Sequence, residues 1–192
     1  MLMRLSSWLR RVSKGWVALA GLLIFLLFTA LVLPGQSQKA AKISGEAGSP
    51  DTSFFYSPAD LTRMAEAYGE LGRQAYVQAR FTFDLIFPIV YTFFLVTSIS
   101  WVFAKGFPAS SRWQLANLVP LLGMLCDYLE NLTASFVMLR YPSPAGIAAA
   151  LAPVFTLLKW SFIGLSFGLL VIGILAGLWK WGKRRLAKNN PE

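Results

Sequence analysis

The chain of 192 residues has no histidine, one cysteine and few charged residues, at 14%. Without histidine it cannot offer imidazole ligands to zinc or haem, or a Ser–His or Cys–His nucleophile pair. The lone thiol, Cys126, excludes an internal disulfide and a cysteine-rich metal site, and reads as a small buried hydrophobe. No metal and no cofactor are therefore expected. Soluble domains carry about a quarter charged residues, so the charge deficit also excludes an ordinary soluble domain. What replaces the charge is 56% hydrophobic residues and a mean hydropathy of +0.54. This composition belongs to a membrane protein, with the lipid bilayer as its first partner.

A hydrocarbon layer about 30 Å thick takes about 20 apolar helical residues, which divides the chain into four spans at 16–33, 81–104, 115–138 and 147–179. The expected fold is all-α, a polytopic four-helix membrane bundle. A basic segment, 1–15, precedes the first span, which is read as an uncleaved signal anchor. A loop at 105–114, a turn at 139–146 and a basic tail at 180–192 complete the division. Because Lys and Arg resist translocation, the positive segments mark the cytoplasmic side. With both termini inside, Arg4, Arg10, Arg11, Lys14, Lys105, Arg112, Lys180, Lys183, Arg184, Arg185 and Lys188 face Glu192 alone, whereas the outer segments hold six basic and five acidic residues. The net charge of +9 therefore reports orientation rather than nucleic acid, which is not an expected partner. Trp8, Trp16, Trp101, Trp113, Trp179 and Trp181 all fall at the same inner interface, where an indole ring is favoured. The expected location is a prokaryotic cytoplasmic membrane.

The outer excursion has two halves. Residues 34–56, rich in Gly, Ser, Ala and Lys, read as a mobile linker. Residues 57–80 read as one amphipathic helix, started by Ser57 as N-cap, Pro58 at the first position and Asp60 reaching back. Its apolar stripe is Leu61, Met64, Tyr68, Leu71 and Ala75, and the preferred placement is a cap over the bundle.

Charges at membrane depth cost about 2.5 to 3.5 kcal/mol each on insertion scales and usually face a bundle interior. Asp84, Asp127, Glu130 and Lys159 lie within the spans. At 1.5 Å per residue they stand roughly 21 to 30 Å from the inner tryptophans, hence in the outer half. Arg80, Asp84, Pro88 and Tyr91 share one helical stripe, in which Pro88 frees the carbonyl of Asp84 from its usual bond. Asn117, Pro120, Asp127 and Asn131 share another, with Glu130 on its edge. The fourth span adds Thr156 and Lys159. The candidate ligand-binding residues are thus Arg80, Asp84, Tyr91, Asp127, Glu130, Asn131, Thr156 and Lys159. Gly164, Gly168, Gly173 and Gly177 form small-x3-small pairs suited to bundle packing, a homodimer or a partner membrane protein. Asn131-Leu132-Thr133 sits in an apolar helix and is not read as a glycosylation site. Tyr141-Pro142-Ser143-Pro144 reads as a rigid outer turn.

Taken in order, Tyr68-Gly69-x2-Gly72-Arg73-x2-Tyr76, Asp84-x2-Phe87-Pro88, Asp127-x2-Glu130-Asn131, Tyr141-Pro142 and Thr156-x2-Lys159 resemble the signatures of an uncharacterised prokaryotic family of four-span membrane proteins. The resemblance covers about residues 56–167 and implies the same fold, with these positions as a recurring unit. It implies no activity.

Two functional readings follow. In the first, three carboxyl groups against two cations leave an acid free to bind a polar or cationic ligand or a lipid headgroup in an outward-facing cup, for binding or transport. In the second, a non-catalytic assembly protein uses the charges as a structural network. An intramembrane hydrolase or transferase is disfavoured, since no nucleophile or metal-ligand spacing accompanies the acids.

Overall fold

A computed structural model describes residues 1–189 and, within them, every side chain except those of Thr52 and residues 186–189. The end of the basic tail, 190–192 with Glu192, lies outside the described residues. The chain is all-helical, with no strand among the described residues. Its elements are α1 (Leu2–Val12), α2 (Gly15–Leu31), α3 (Leu33–Ser44), α4 (Pro58–Ala67), α5 (Gly69–Arg80), α6 (Phe83–Gly106), α7 (Val119–Arg140) and α8 (Ile147–Asn189). Short 3₁₀ turns occupy Gly45–Ala47, Pro50–Thr52 and Arg112–Leu118.

Two helical stretches are long and apolar enough to cross a membrane, Gly69–Gly106 and Ile147–Arg185; a third is reached if α1 and α2, bent by 88° at their junction, count as one. Of the other two expected spans, α2 has 17 residues. The third, α7, is long enough at 22 residues but carries Asp127, Glu130 and Asn131 in its middle. Its expected first residues, from 115, belong instead to the 3₁₀ turn Arg112–Leu118. At 1.5 Å per residue α8 is about 65 Å long, twice the thickness of a hydrocarbon core, so its basic end projects well beyond the apolar part.

Helices α6, α7 and α8 pack on one another, and α2 lies along α6. The α2 contact is aromatic, with Phe25 stacked on Phe94 at 4.9 Å and Phe28 on Phe83 and Phe87 at 5.6 Å. Small residues bring the backbones together. A Cβ on Gly21 would stand 3.2 Å from the Phe94 backbone, and one on Gly173 would stand 2.7 Å from the Phe103 ring. Gly173 is therefore used within the chain, whereas Gly164, Gly168 and Gly177 have open space at their Cβ positions.

The excursion differs from both expectations. The linker reading fails first, because 33–44 is α3 and the following turns carry the chain over the bundle. A composition poor in apolar residues left no periodicity by which to see that helix. The single helix at 57–80 fails next. Its start is as expected, with a capping box in which Ser57 Oγ accepts from the Asp60 N–H and Asp60 Oδ2 accepts from the Ser57 N–H at 2.8 Å. The helix then breaks at Gly69, whose φ of +62° favours a residue without a Cβ. The break shifts the phase: Leu61, Met64 and Tyr68 are buried as expected, but Leu71 is 81% exposed and Tyr76 takes its place inside.

Two apolar clusters result. One joins the cap to the C-terminal end of α7 and the N-terminal end of α8 through Tyr56, Leu61, Met64, Tyr76, Met138 and Ala152. The other, formed chiefly by α6, contains Tyr91, Leu95, Ile99 and Phe103. Along α7 and α8 the charged residues fall between them.

Candidate functional site

Four elements supply the polar and charged residues expected from the sequence. Arg80 ends α5, Asp84 opens α6, Asp127, Glu130 and Asn131 project from α7, and Thr156 and Lys159 from α8. Lys159 Nζ lies 2.5 Å from Glu130 Oε2, and Arg80 Nη1 lies 3.1 Å from Asp84 Oδ2. Burial is nearly complete: Glu130 and Thr156 are fully buried, and Arg80, Lys159, Tyr91, Asn131 and Asp127 are below a tenth exposed.

A residue that sequence reasoning missed joins the two pairs. Asp51, on the turn Pro50–Thr52, forms a close ion pair with Arg80 and places Oδ1 3.7 Å from Lys159 Nζ. Its carboxylate thus bridges both buried cations from above. The cluster contains four carboxyl groups and two cations, so the acidic surplus is larger than the spans alone imply.

Asp127 differs from the other acids in its partners. Tyr91 donates its hydroxyl to Asp127 Oδ2 at 3.0 Å, and Asn131 Nδ2 donates to Oδ1 at 3.3 Å, so its hydrogen bonds come from neutral groups. Asn131 Nδ2 also stands 3.5 Å from the Asp84 carbonyl, the group that Pro88 releases from the α6 ladder. The proline thereby ties two helices together through a backbone oxygen.

Thr156 takes a different part. Its hydroxyl donates to the Ala152 carbonyl at 3.0 Å and lies 2.9 Å from the Tyr56 hydroxyl, which can then donate to it. Burial raises the Tyr56 phenol well above its ordinary range, so that donor keeps its proton. Thr156 thus fastens the cap beside the charges rather than touching a carboxylate. Tyr76 lies under the Arg80 guanidinium, with 4.5 Å from Cζ to the ring centre. Tyr68 donates to the Gly48 carbonyl at 2.7 Å, holding the turn that precedes Asp51.

Asn117 does not reach this group, although it shares the Asp127 stripe. It is buried at the other end of the molecule, where Nδ2 donates to the Ser6 carbonyl at 3.2 Å and to Ser100 Oγ at 2.8 Å. The expected outward-facing cup is also revised. The largest side-chain exposures in the ion-pair network are 24% at Asp51 and 14% at Asp84, and Asp51 lies over the cations as part of a lid. Two open grooves occur elsewhere, between Arg73 and Tyr141 and between Trp113 and Leu165, and neither is lined by the cluster. Within the cluster, Glu130 Oε1, Asn131 Oδ1, Arg80 Nε and the Tyr76 hydroxyl have no hydrogen-bond partner among the described residues. Among those residues no group of three or more His, Cys, Asp or Glu has the arrangement of a metal site. No protein-family model matches the chain, and neither a curated protein nor a solved structure is significantly similar to it.

Proposed function

We propose that the chain is a four-span protein of a prokaryotic cytoplasmic membrane, with both termini inside, and that its acidic cluster binds a small cation or protonated amine beneath a closing cap. The observation that carries this reading is the imbalance of four carboxyl groups against two cations, with Asp127 held by neutral donors. A buried carboxylate without a cationic partner is costly unless it gains one. Asp127 would hold the ligand, Tyr91 and Asn131 would orient its oxygens, and the free acceptors Glu130 Oε1 and Asn131 Oδ1 would complete the donor set. The motifs at Tyr68–Tyr76, Asp84–Pro88, Asp127–Asn131 and Thr156–Lys159 fall in or around this cluster.

The test uses the full chain in lipid nanodiscs, with methylammonium, ethylammonium and sodium as probes. A rise in unfolding temperature with one of these cations, lost in Asp127→Asn while the variant itself remains folded, is the expected result. No response to any of them in the wild type counts against the site.

A second reading, a non-catalytic assembly protein, is favoured by the lid geometry: Asp51, Arg80, Glu130 and Lys159 join the cap to α7 and α8 without an open cavity. In that case Gly164 and Gly168, whose Cβ positions are open, would pack against a second copy or a partner helix. Asp127→Asn would then change stability and assembly but no cation response.

A further inference from the structure

The end of the molecule remote from the cap carries a second polar network that the acidic cluster does not use. Ser6 of α1 is fully buried and donates Oγ to the Gln114 carbonyl at 2.7 Å. Gln114 Nε2 donates to the carbonyls of Phe103 at 3.1 Å and Phe107 at 3.2 Å. Together with Asn117, these bonds fix the turn Arg112–Leu118 against the end of α6 and hold α1 across it.

Between that turn and α8 runs an open groove of about 420 Å³. Its floor is Ala116 and Leu169, both buried, and its walls are Trp113 and Leu165, each about half exposed. Arg112 is the charged residue of its lining. The surrounding charge is of one sign: every acidic residue among the described ones belongs to the cap, the excursion or the buried cluster, while the inner segments carry Lys and Arg alone. Several of these cations rest on tryptophan rings, with Lys105 3.8 Å from the centre of Trp101 and Arg185 4.3 Å from that of Trp181.

The geometry points to a binding site for an anionic phospholipid of the inner leaflet, with one acyl chain in this groove and the phosphate on Arg112. An apolar trough suits a methylene chain, whose burial is driven by area rather than by direction. A guanidinium at its mouth matches a phosphate, and Trp113 beside it takes the headgroup level that indole prefers. A zwitterionic lipid would fill the same trough but gain less from the unopposed positive field. The assignment to the inner leaflet rests on the proposed orientation, whereas the groove itself is independent of any ligand in the acidic cluster.

Full-length protein, stripped of lipid in mild detergent, is titrated with phosphatidylglycerol or phosphatidylcholine and read by native mass spectrometry. The first phosphatidylglycerol is expected to bind at least about five-fold more tightly than phosphatidylcholine. Arg112→Glu should remove that preference, whereas Arg11→Glu on the neighbouring helix should keep most of it. Leu165→Trp, which fills the trough from its exposed wall, should weaken both lipids. Equal binding of the two lipids by the wild type, or a preference that survives Arg112→Glu, overturns the site. Should Arg112→Glu not yield a monodisperse protein, Arg112→Gln is read by the same criterion.

Discussion

At the scale of single residues, the Lys159–Glu130 pair decides how the cluster is held. Removing one member of a buried ion pair leaves the other uncompensated, which typically costs about 3 to 5 kcal/mol. Lys159→Met is therefore expected to lower the unfolding temperature in detergent strongly, and addition of Glu130→Gln should recover much of the loss. A double-mutant cycle measures the coupling, and additive effects would show that the pair is not the lock. Asp51→Asn should act on the lid instead. Backbone hydrogen exchange is expected to quicken over 45–67, while α7 and α8 keep their protection. The charged residues of the spans were legible in the sequence because each violates an apolar run. Asp51 was not: it sits among Gly, Ser and Ala without periodicity, and its partners are distant in sequence. Its role comes from α3 and the turns returning the chain over the bundle, which composition alone does not encode.

At the scale of elements, the cap tests two local rules. The Ser57–Asp60 box was readable from spacing, because only a few residue types can satisfy the first amide groups of a helix. Hydrogen bonds from the Ser57 side chain and backbone hold the Asp60 carboxyl below its ordinary range. A group with a lowered folded pKa stabilises the fold above its unfolded pKa, and that contribution is lost as pH falls through the folded value. Protection of α4 amides should accordingly decline in the wild type as pH falls below about 4, the ordinary Asp range, and Asp60→Asn should flatten that decline. The break after α4 was illegible, since glycine reads simply as a weak helix residue until its φ is known. Gly69 at φ +62° has open space around its Cβ position, so substitution there meets backbone strain alone. Gly69→Ala is expected to cost about 1 to 2 kcal/mol, measured as a drop in cap protection, and Gly69→Asn less, because Asn tolerates this region better.

For the whole molecule, the open choice is how many helices cross the bilayer. Length and apolarity select Gly69–Gly106 and Ile147–Arg185. The apolar runs of the sequence also select α2 and α7, and packing explains how a short or polar helix could be accommodated in a membrane. Helix α2 is joined to α6 by phenylalanine stacks, and α7 turns Asp127, Glu130 and Asn131 inward, with Asp127 bonded to Tyr91 and Glu130 paired with Lys159. Average hydropathy cannot see that inward turn, because it counts a buried, paired acid as though it faced lipid. Cysteine labelling separates the topologies, in a Cys126→Ala background with one cysteine placed at Ser37, Ser110 or Ser143, three exposed positions. In the four-span arrangement Ser37→Cys and Ser143→Cys react with an impermeant maleimide added to intact spheroplasts, while Ser110→Cys reacts only after lysis. If α6 and α8 alone cross, α7 does not change sides, and Ser110→Cys and Ser143→Cys must behave alike. Opposite labelling of those two positions therefore requires α7, with its three polar residues, to span the bilayer, and the acidic cluster is then intramembrane by necessity.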